Sequence, residues 1–288
     1  MTDRPTRVVD AHVHLWDPAR TDWYPYLARP QADGAGDASR MFRRFDVETY
    51  RFETARWNVE KFVNVAAATG RHSIEETIEL DSNARAGGGP DAIIGGLPPT
   101  DTEAEAIELI DRQMAAPRFR GVRPMGANMG PLPDAGVLHA LQERSLLFEL
   151  MTHPDQLRVA ATGLAGFDDL TVVVEHTGWP RSGSDEERAL WRAGIDALAG
   201  VGDNVMCKLS GLAMPFGSMR VDALGPWLEY AIEAFGVDRC MFASNFPVDA
   251  MYGTFDELYA TFSAVAAGLD DESRGKLFAT NAERVYRC

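Results

Sequence analysis

Thr171-Val-Val-Val-Glu-His-Thr-Gly178 begins as a β-branched run with no polar alternation and stops at a histidine shortly before a glycine. A strand that offers water no face must be covered on both sides, the condition of a parallel sheet with helices outside it. Seven more short apolar runs flank it, at Arg7–His12, Lys61–Ala67, Ala92–Leu97, Phe119–Arg123, Leu146–Thr152, Asn204–Ser210 and Arg239–Asn245. Between them lie stretches with helical apolar spacing: Ile74–Ala86, Thr102–Ala115, Ala135–Glu143, Glu186–Leu198, Ala223–Phe235, Thr254–Ala266 and a last one near Glu272–Tyr286. Asp101 is placed as the N-cap of the second. Eight alternating units predict an α/β protein, a single (β/α)8 TIM barrel over residues 1–288, in preference to an open sheet.

A length of 288 residues is ordinary for such a barrel, and 45% hydrophobic with 25% charged residues supplies both a core and a soluble surface. With 28 basic and 43 acidic side chains the formal charge is −15, which repels phosphate backbones and anionic lipid. Nucleic acid and membrane are therefore excluded as expected partners, leaving a small-molecule substrate, with homo-oligomer formation left open. Cys207, Cys240 and Cys288 form no C-x-x-C pair, and the N-terminus lacks an apolar signal region. The expectation is a cytoplasmic protein whose first two cysteines serve as small buried apolar residues.

The longest irregular stretch, Leu15 to Asp46, carries Trp16, Trp23, Tyr24, Tyr26 and a Gly-Ala-Gly segment at 34–36. It follows the first strand, so in a barrel it belongs on the C-terminal face, as a lid or pocket wall or as a surface loop anchored by its own aromatics. Trp16, at its start, is assigned to substrate contact.

Val8-Val-Asp-Ala-His-Val-His14 ends an apolar strand on two histidines two residues apart. A strand's period of two places His12 and His14 on one side, with Asp10 one step deeper on the same face, so both imidazoles can meet one ion or substrate. His176 ends the sixth strand, and side chains that end barrel strands line the catalytic face. Arg123 ends the fourth and offers a planar fork suited to a carboxylate. Lys208 could meet an anionic substrate or serve as a buried ion-pair partner, and Glu149 lies on strand five.

These residues sit in motifs that run the length of the chain: Asp10-Ala-His-Val-His-Leu-Trp-Asp17, Gly121-Val-Arg123, Glu175-His-Thr-Gly-Trp-Pro180, Lys208-Leu-Ser-Gly211 and Met241-Phe-Ala-Ser-Asn-Phe-Pro-Val248. In that order, and on those strands, they resemble the amidohydrolase 2 group, the predicted metal-dependent TIM-barrel hydrolases of the amidohydrolase superfamily. The resemblance implies hydrolysis of a lactone or similar cyclic ester, with His12, His14 and His176 as catalytic and metal-binding residues and Arg123 contacting a substrate carboxylate or carbonyl. It also implies a histidine on strand five, for which His153 is the candidate, with loop capping as the alternative. A divalent metal, zinc first, is the implied cofactor, although not every member of the group needs one.

One position departs from the group. Better-known lactonases carry Ser-Asp-Trp-Pro on the last strand, whose aspartate takes a proton from the attacking water; here the residues are Ser244-Asn-Phe-Pro247. The neutral amide of Asn245 is no base near neutral pH, though its oxygen can accept a hydrogen bond. Three routes remain: a metal held by the three histidines, a carboxylate from Asp249 or Glu149, or neutral His176 as base. Two other activities compete with the hydrolase: non-oxidative decarboxylation of an unsaturated or aromatic acid, and a ligand-binding barrel without catalysis.

Overall fold

The computed structural model of the chain describes residues 5–27, 36–125 and 132–288. Its centre is one eight-stranded sheet in which neighbours in space follow the order of the chain: β1 (Val8–Val13), β2 (Val59–Val65), β3 (Ala92–Leu97), β4 (Phe119–Pro124), β5 (Leu147–Leu150), β6 (Val172–Val174), β7 (Val205–Leu209) and β8 (Cys240–Phe242). All seven pairings are parallel. Beyond the end of β8 the ring closes on β1, where Asn245 N donates to His12 O at 2.9 Å and His14 N to Phe246 O at 2.8 Å. The expected (β/α)8 barrel is the fold.

The strands carry α1 (Val47–Thr54), α2 (His72–Gly87), α3 (Glu103–Gln113), α4 (Ala135–Glu143), α5 (Pro154–Leu164), α6 (Asp185–Ala199), α7 (Ala213–Phe216), α8 (Val221–Phe235), α9 (Phe255–Val265), α10 (Asp271–Gly275) and α11 (Asn281–Tyr286). Among the described residues no helix is long and apolar enough to cross a membrane. Three of these helices, α1, α5 and the four-residue α7, lie outside the stretches read from the sequence. α1 has eight residues and leaves Phe52 exposed, while α5 starts on Pro154, whose missing N–H costs nothing at a first helical position. The N-cap of α3 is Thr102, which accepts from Glu105 N, in place of the expected Asp101. The last predicted helix is broken, with a π turn at Lys276–Thr280 between α10 and α11.

Two apolar layers result. The outer one, between strands and helices, includes Phe62, Phe148, Trp191, Phe242 and Phe262. Inside the barrel, Val9, Ala11, Val63, Val173, Met206 and Met241 meet Ala282, Val285 and Tyr286 of α11, so the C-terminal helix plugs the end of the barrel where the strands begin. Burying both faces of every strand is what the uninterrupted apolar runs require.

The expected alternation along β1 fails at one point. Its register against β2 shifts between Asp10 and Val13, and the extra residue turns Asp10 away from His12. Val9 and Ala11 enter the inner layer, whereas the fully buried Asp10 carboxylate accepts from Tyr50 Oη of α1 at 2.9 Å and from Ser244 N at 2.8 Å. Asp10 fastens the β1–β8 seam to the helical layer and does not share the histidines' face.

Candidate active site

His12, His14 and His176, separated by more than 160 residues of chain, are brought together where the strands end. The ring centroids of His12 lie 4.8 Å from those of His14 and 4.7 Å from those of His176. The ring nitrogens His12 Nε2 and His14 Nε2 are 3.1 Å apart, and His14 Nδ1 lies 2.8 Å from Val65 O. Burial drives all three toward the neutral imidazole, reinforced by the positive charges of Lys208 and Arg123: His14 falls to about 3, His176 to about 4, and His12 lies well below its ordinary value.

His176 does not extend its strand. β6 stops at Val174, and Glu175–Gly178 make a tight turn in which His176 and Thr177 take φ of 53° and 56°. Left-handed backbone in bulky residues survives only where the surroundings enforce it. Here Trp191 Nε1 donates to Thr177 O at 2.6 Å, His176 Nδ1 lies 3.0 Å from Ser210 Oγ, and Gly211 leaves room for the ring, since a Cβ there would stand 2.5 Å from His176 Cγ. The turn carries both Glu175 and His176 into the cluster.

Glu175 was not singled out by sequence reasoning. Its signal is a carboxylate directly after Val-Val-Val in a run buried on both faces. Fully buried, it would have a raised pKa from desolvation alone; the Arg123 guanidinium, 3.3 Å away, overrides this and holds it well below the usual carboxylate range. Arg123 also donates to Ala66 O at 2.7 Å, and its Nε–H has no partner. Lys208 and Glu149 lie one layer deeper, fully buried and joined at 2.6 and 2.7 Å. Burial and the nearby Glu175 charge push Glu149 upward against the pull of Lys208.

Asn245 adopts a left-handed φ of 56°, and its Nδ2 donates to Asp249 Oδ1 at 2.9 Å. Asp249 is fully buried, its Oδ2 has no hydrogen-bond partner, and burial pushes its pKa up to about 7 against the hydrogen bonds from Asn245 and the Ala213 backbone. His153 stands at the N-cap of α5, without a side-chain capping bond, stacked on Trp179 at 4.7 Å with its Nδ1 3.0 Å from Trp179 O.

The loop after β1 is pinned at both ends by the antiparallel bridge between Trp16 and Phe45. Trp16 lies parallel to His14 at 5.8 Å, and Tyr26 Oη donates to Ala67 O beyond β2, so the described part of the loop forms a wall. Gly34 and Ala35 lie outside the described residues. Behind the wall a cavity of about 260 Å³ is lined by Trp16, Trp23, Tyr24 and Glu76, among others, and by none of the three histidines.

The donor set fits a divalent ion. Among the described residues, ligand atoms of His12, Glu175 and His176 all lie within 4.8 Å of one another, with Glu175 in the place that the sequence reading gave to His14. Two neutral imidazoles and a carboxylate suit zinc, and Glu175 Oε1 has no hydrogen-bond partner.

A sequence model of the family described as Amidohydrolase matches residues 9–288. The uncharacterised protein y4mH of Sinorhizobium fredii is 29% identical over 97% of this chain and 98% of its own length. An L-fucono-1,5-lactonase of Burkholderia ambifaria is 26% identical over 97% of this chain and 95% of its own. The crystal structure of an amidohydrolase from Burkholderia multivorans with bound zinc has the same fold, with a TM-score of 0.82 at 24% identity, covering 98% of this chain and 99% of that one.

Proposed function

We propose, from the premise that the chain belongs to the amidohydrolase family, that it is a hydrolase opening a lactone or similar cyclic ester of a small polar acid. The reading is carried by one observation: His12, His14 and His176, all held toward the neutral form, stand together where the strands end and are joined through Glu175 to Arg123. Whole-length similarity to a lactonase supports the same class.

Each group has a task. Arg123, held by Glu175 and Ala66 O, is the cation that meets the substrate carbonyl or carboxylate. Donors fixed beforehand stabilise the oxyanion of the tetrahedral intermediate because they need no reorganisation when the charge appears. Asp249 receives the proton of the attacking water as its oxygen bonds to the carbonyl carbon, and returns it to the ring oxygen as the ring C–O bond breaks, since an acid–base group is most effective when its pKa lies near the working pH. Asn245, anchored on Asp249, orients that water, and Trp16 covers the site from the loop side. A divalent ion, when bound, would be held by His12, Glu175 and His176 and would polarise the carbonyl and acidify water.

The test is ring opening of L-fucono-1,5-lactone and a panel of hydroxylated and carboxylated lactones, followed by proton release. Turnover is expected, with kcat/KM low on the acid side and rising through about pH 7. The sign follows from Asp249: its folded pKa lies at about 7, and only the ionised form accepts a proton. An acid limb near pH 4 would transfer the base to His176. Carbon dioxide release from an unsaturated or aromatic acid, without lactone turnover, would reject the hydrolase.

Metal dependence is tested separately. Protein purified without added metal is expected to carry zinc by elemental analysis and to lose turnover on chelation. Full activity of metal-free protein would remove the ion and leave the chemistry to the side chains.

A further inference from the structure

We propose that Glu76 of α2, a buried carboxyl with no part in the chemistry above, is a positioning residue for Arg123: it holds the segment after β2 from which Arg123 and the aromatic wall of the loop after β1 are both hung. The kinetic effect rests on the hydrolase reading; the link between Glu76 and Arg123 does not.

The segment is Ala66-Ala-Ala-Thr69, and its three alanines are buried. Alanine has no polar side-chain atom, so whatever this stretch anchors is anchored through the main chain. Ala66 O accepts from Arg123 Nη2 at 2.7 Å and Ala67 O from Tyr26 Oη at 2.9 Å. Thr69 donates to Trp23 O from both its N–H, at 2.8 Å, and its hydroxyl, at 3.2 Å. Ala66 N is taken by Ile94 O of β3. The two remaining N–H groups, of Ala67 and Ala68, both donate to Glu76, at 2.9 and 3.1 Å.

The same carboxyl accepts from Tyr24 Oη at 2.9 Å, so it ties the loop to α2 along with the segment. Tyr26, docked on Ala67 O, stands edge-on to Trp16 at 6.2 Å. The wall over the site and the cation within it therefore share one support.

Arg123 has two oxygen acceptors, and the main-chain one is nearer: Ala66 O at 2.7 Å against Glu175 Oε2 at 3.3 Å. A guanidinium recognises a planar acid group through a fixed fork, so a shift of Ala66 O re-aims the cation that meets the substrate. An apolar residue at 76 would leave two buried N–H groups without a partner, which the segment can relieve only by moving.

Three variants test this. Glu76→Met removes the acceptors at similar volume, and Glu76→Asp withdraws them by one methylene. Glu76→Gln keeps an oxygen for the Ala67 and Ala68 N–H groups and an amide that can donate to the Tyr24 oxygen. The direct readout is side-chain 15N NMR of the arginine-labelled full-length protein, with the Arg123 signals identified by their loss in Arg123→Lys. Glu76→Met and Glu76→Asp are expected to shift those signals, and Glu76→Gln to leave them near their parent positions. On an accepted lactone, Glu76→Met should lower kcat/KM by about tenfold, the effect of weakening one hydrogen bond to a charged group, and Glu76→Gln should restore it. Parent-like Arg123 signals in folded Glu76→Met overturn the proposal and leave Glu76 as an acceptor for buried amides only. If that variant does not fold, parent-like signals in Glu76→Asp overturn it. Shifted signals in a protein that turns over no lactone keep the link and reject the hydrolase reading.

Discussion

Asp249→Asn is expected to lower kcat on an accepted lactone by about 10²–10⁴-fold, the range for removing a positioned general base. The fold should survive, because an asparagine oxygen can still accept from Asn245 Nδ2 and the new amide occupies the space of an oxygen that has no partner. The pH dependence supplies the second readout: the acid limb near pH 7 belongs to this carboxyl and should vanish with it. Asn245→Asp makes the complementary change by restoring the aspartate of the better-known lactonases. It places two carboxyls at the 2.9 Å separation of the present hydrogen bond, where they must share a proton, and the limb should move to higher pH. Unimpaired turnover in Asp249→Asn would rule out Asp249 as the base.

Arg123→Met is expected to abolish turnover and to destabilise the protein by about 3–5 kcal/mol in urea unfolding, the cost of leaving one member of a buried ion pair alone. Glu175 is the member left behind, fully buried, with its low pKa dependent on the guanidinium. The double change Arg123→Met with Glu175→Gln should recover much of that stability, because a neutral amide needs no counter-charge. It should recover no activity, since the donor aimed at the substrate is still missing. A single variant as stable as the parent protein would show that Glu175 does not depend on Arg123.

Much of the site was legible because the fold is periodic. Once Val172–Val174 and its seven counterparts are read as strands of one parallel barrel, the residues that follow them fall on a common face, and the candidates His12, His14, His176 and Arg123 follow from that inference, whereas Asn245 was marked by the family resemblance. The parts that were not legible share a cause: local departures from period two. A register shift in β1 turned Asp10 toward Tyr50, and left-handed backbone at His176 and Asn245 re-aimed strand ends whose sequences look regular. Glu175 entered the site by the same turn that carries His176.

Alternating apolar runs and amphipathic stretches are enough to specify a closed α/β barrel, because burying both faces of a parallel strand has few solutions, and enough to mark which histidines cap its strands. Which charges stand together was decided by the three-dimensional arrangement. Arg123 with Glu175, Lys208 with Glu149 and Tyr286, and Asn245 with Asp249 are pairings between strand ends, the plugging helix and a turn. Hydrogen bonds and desolvation act over a few ångströms of space, and all but the last of these pairs are far apart along the chain.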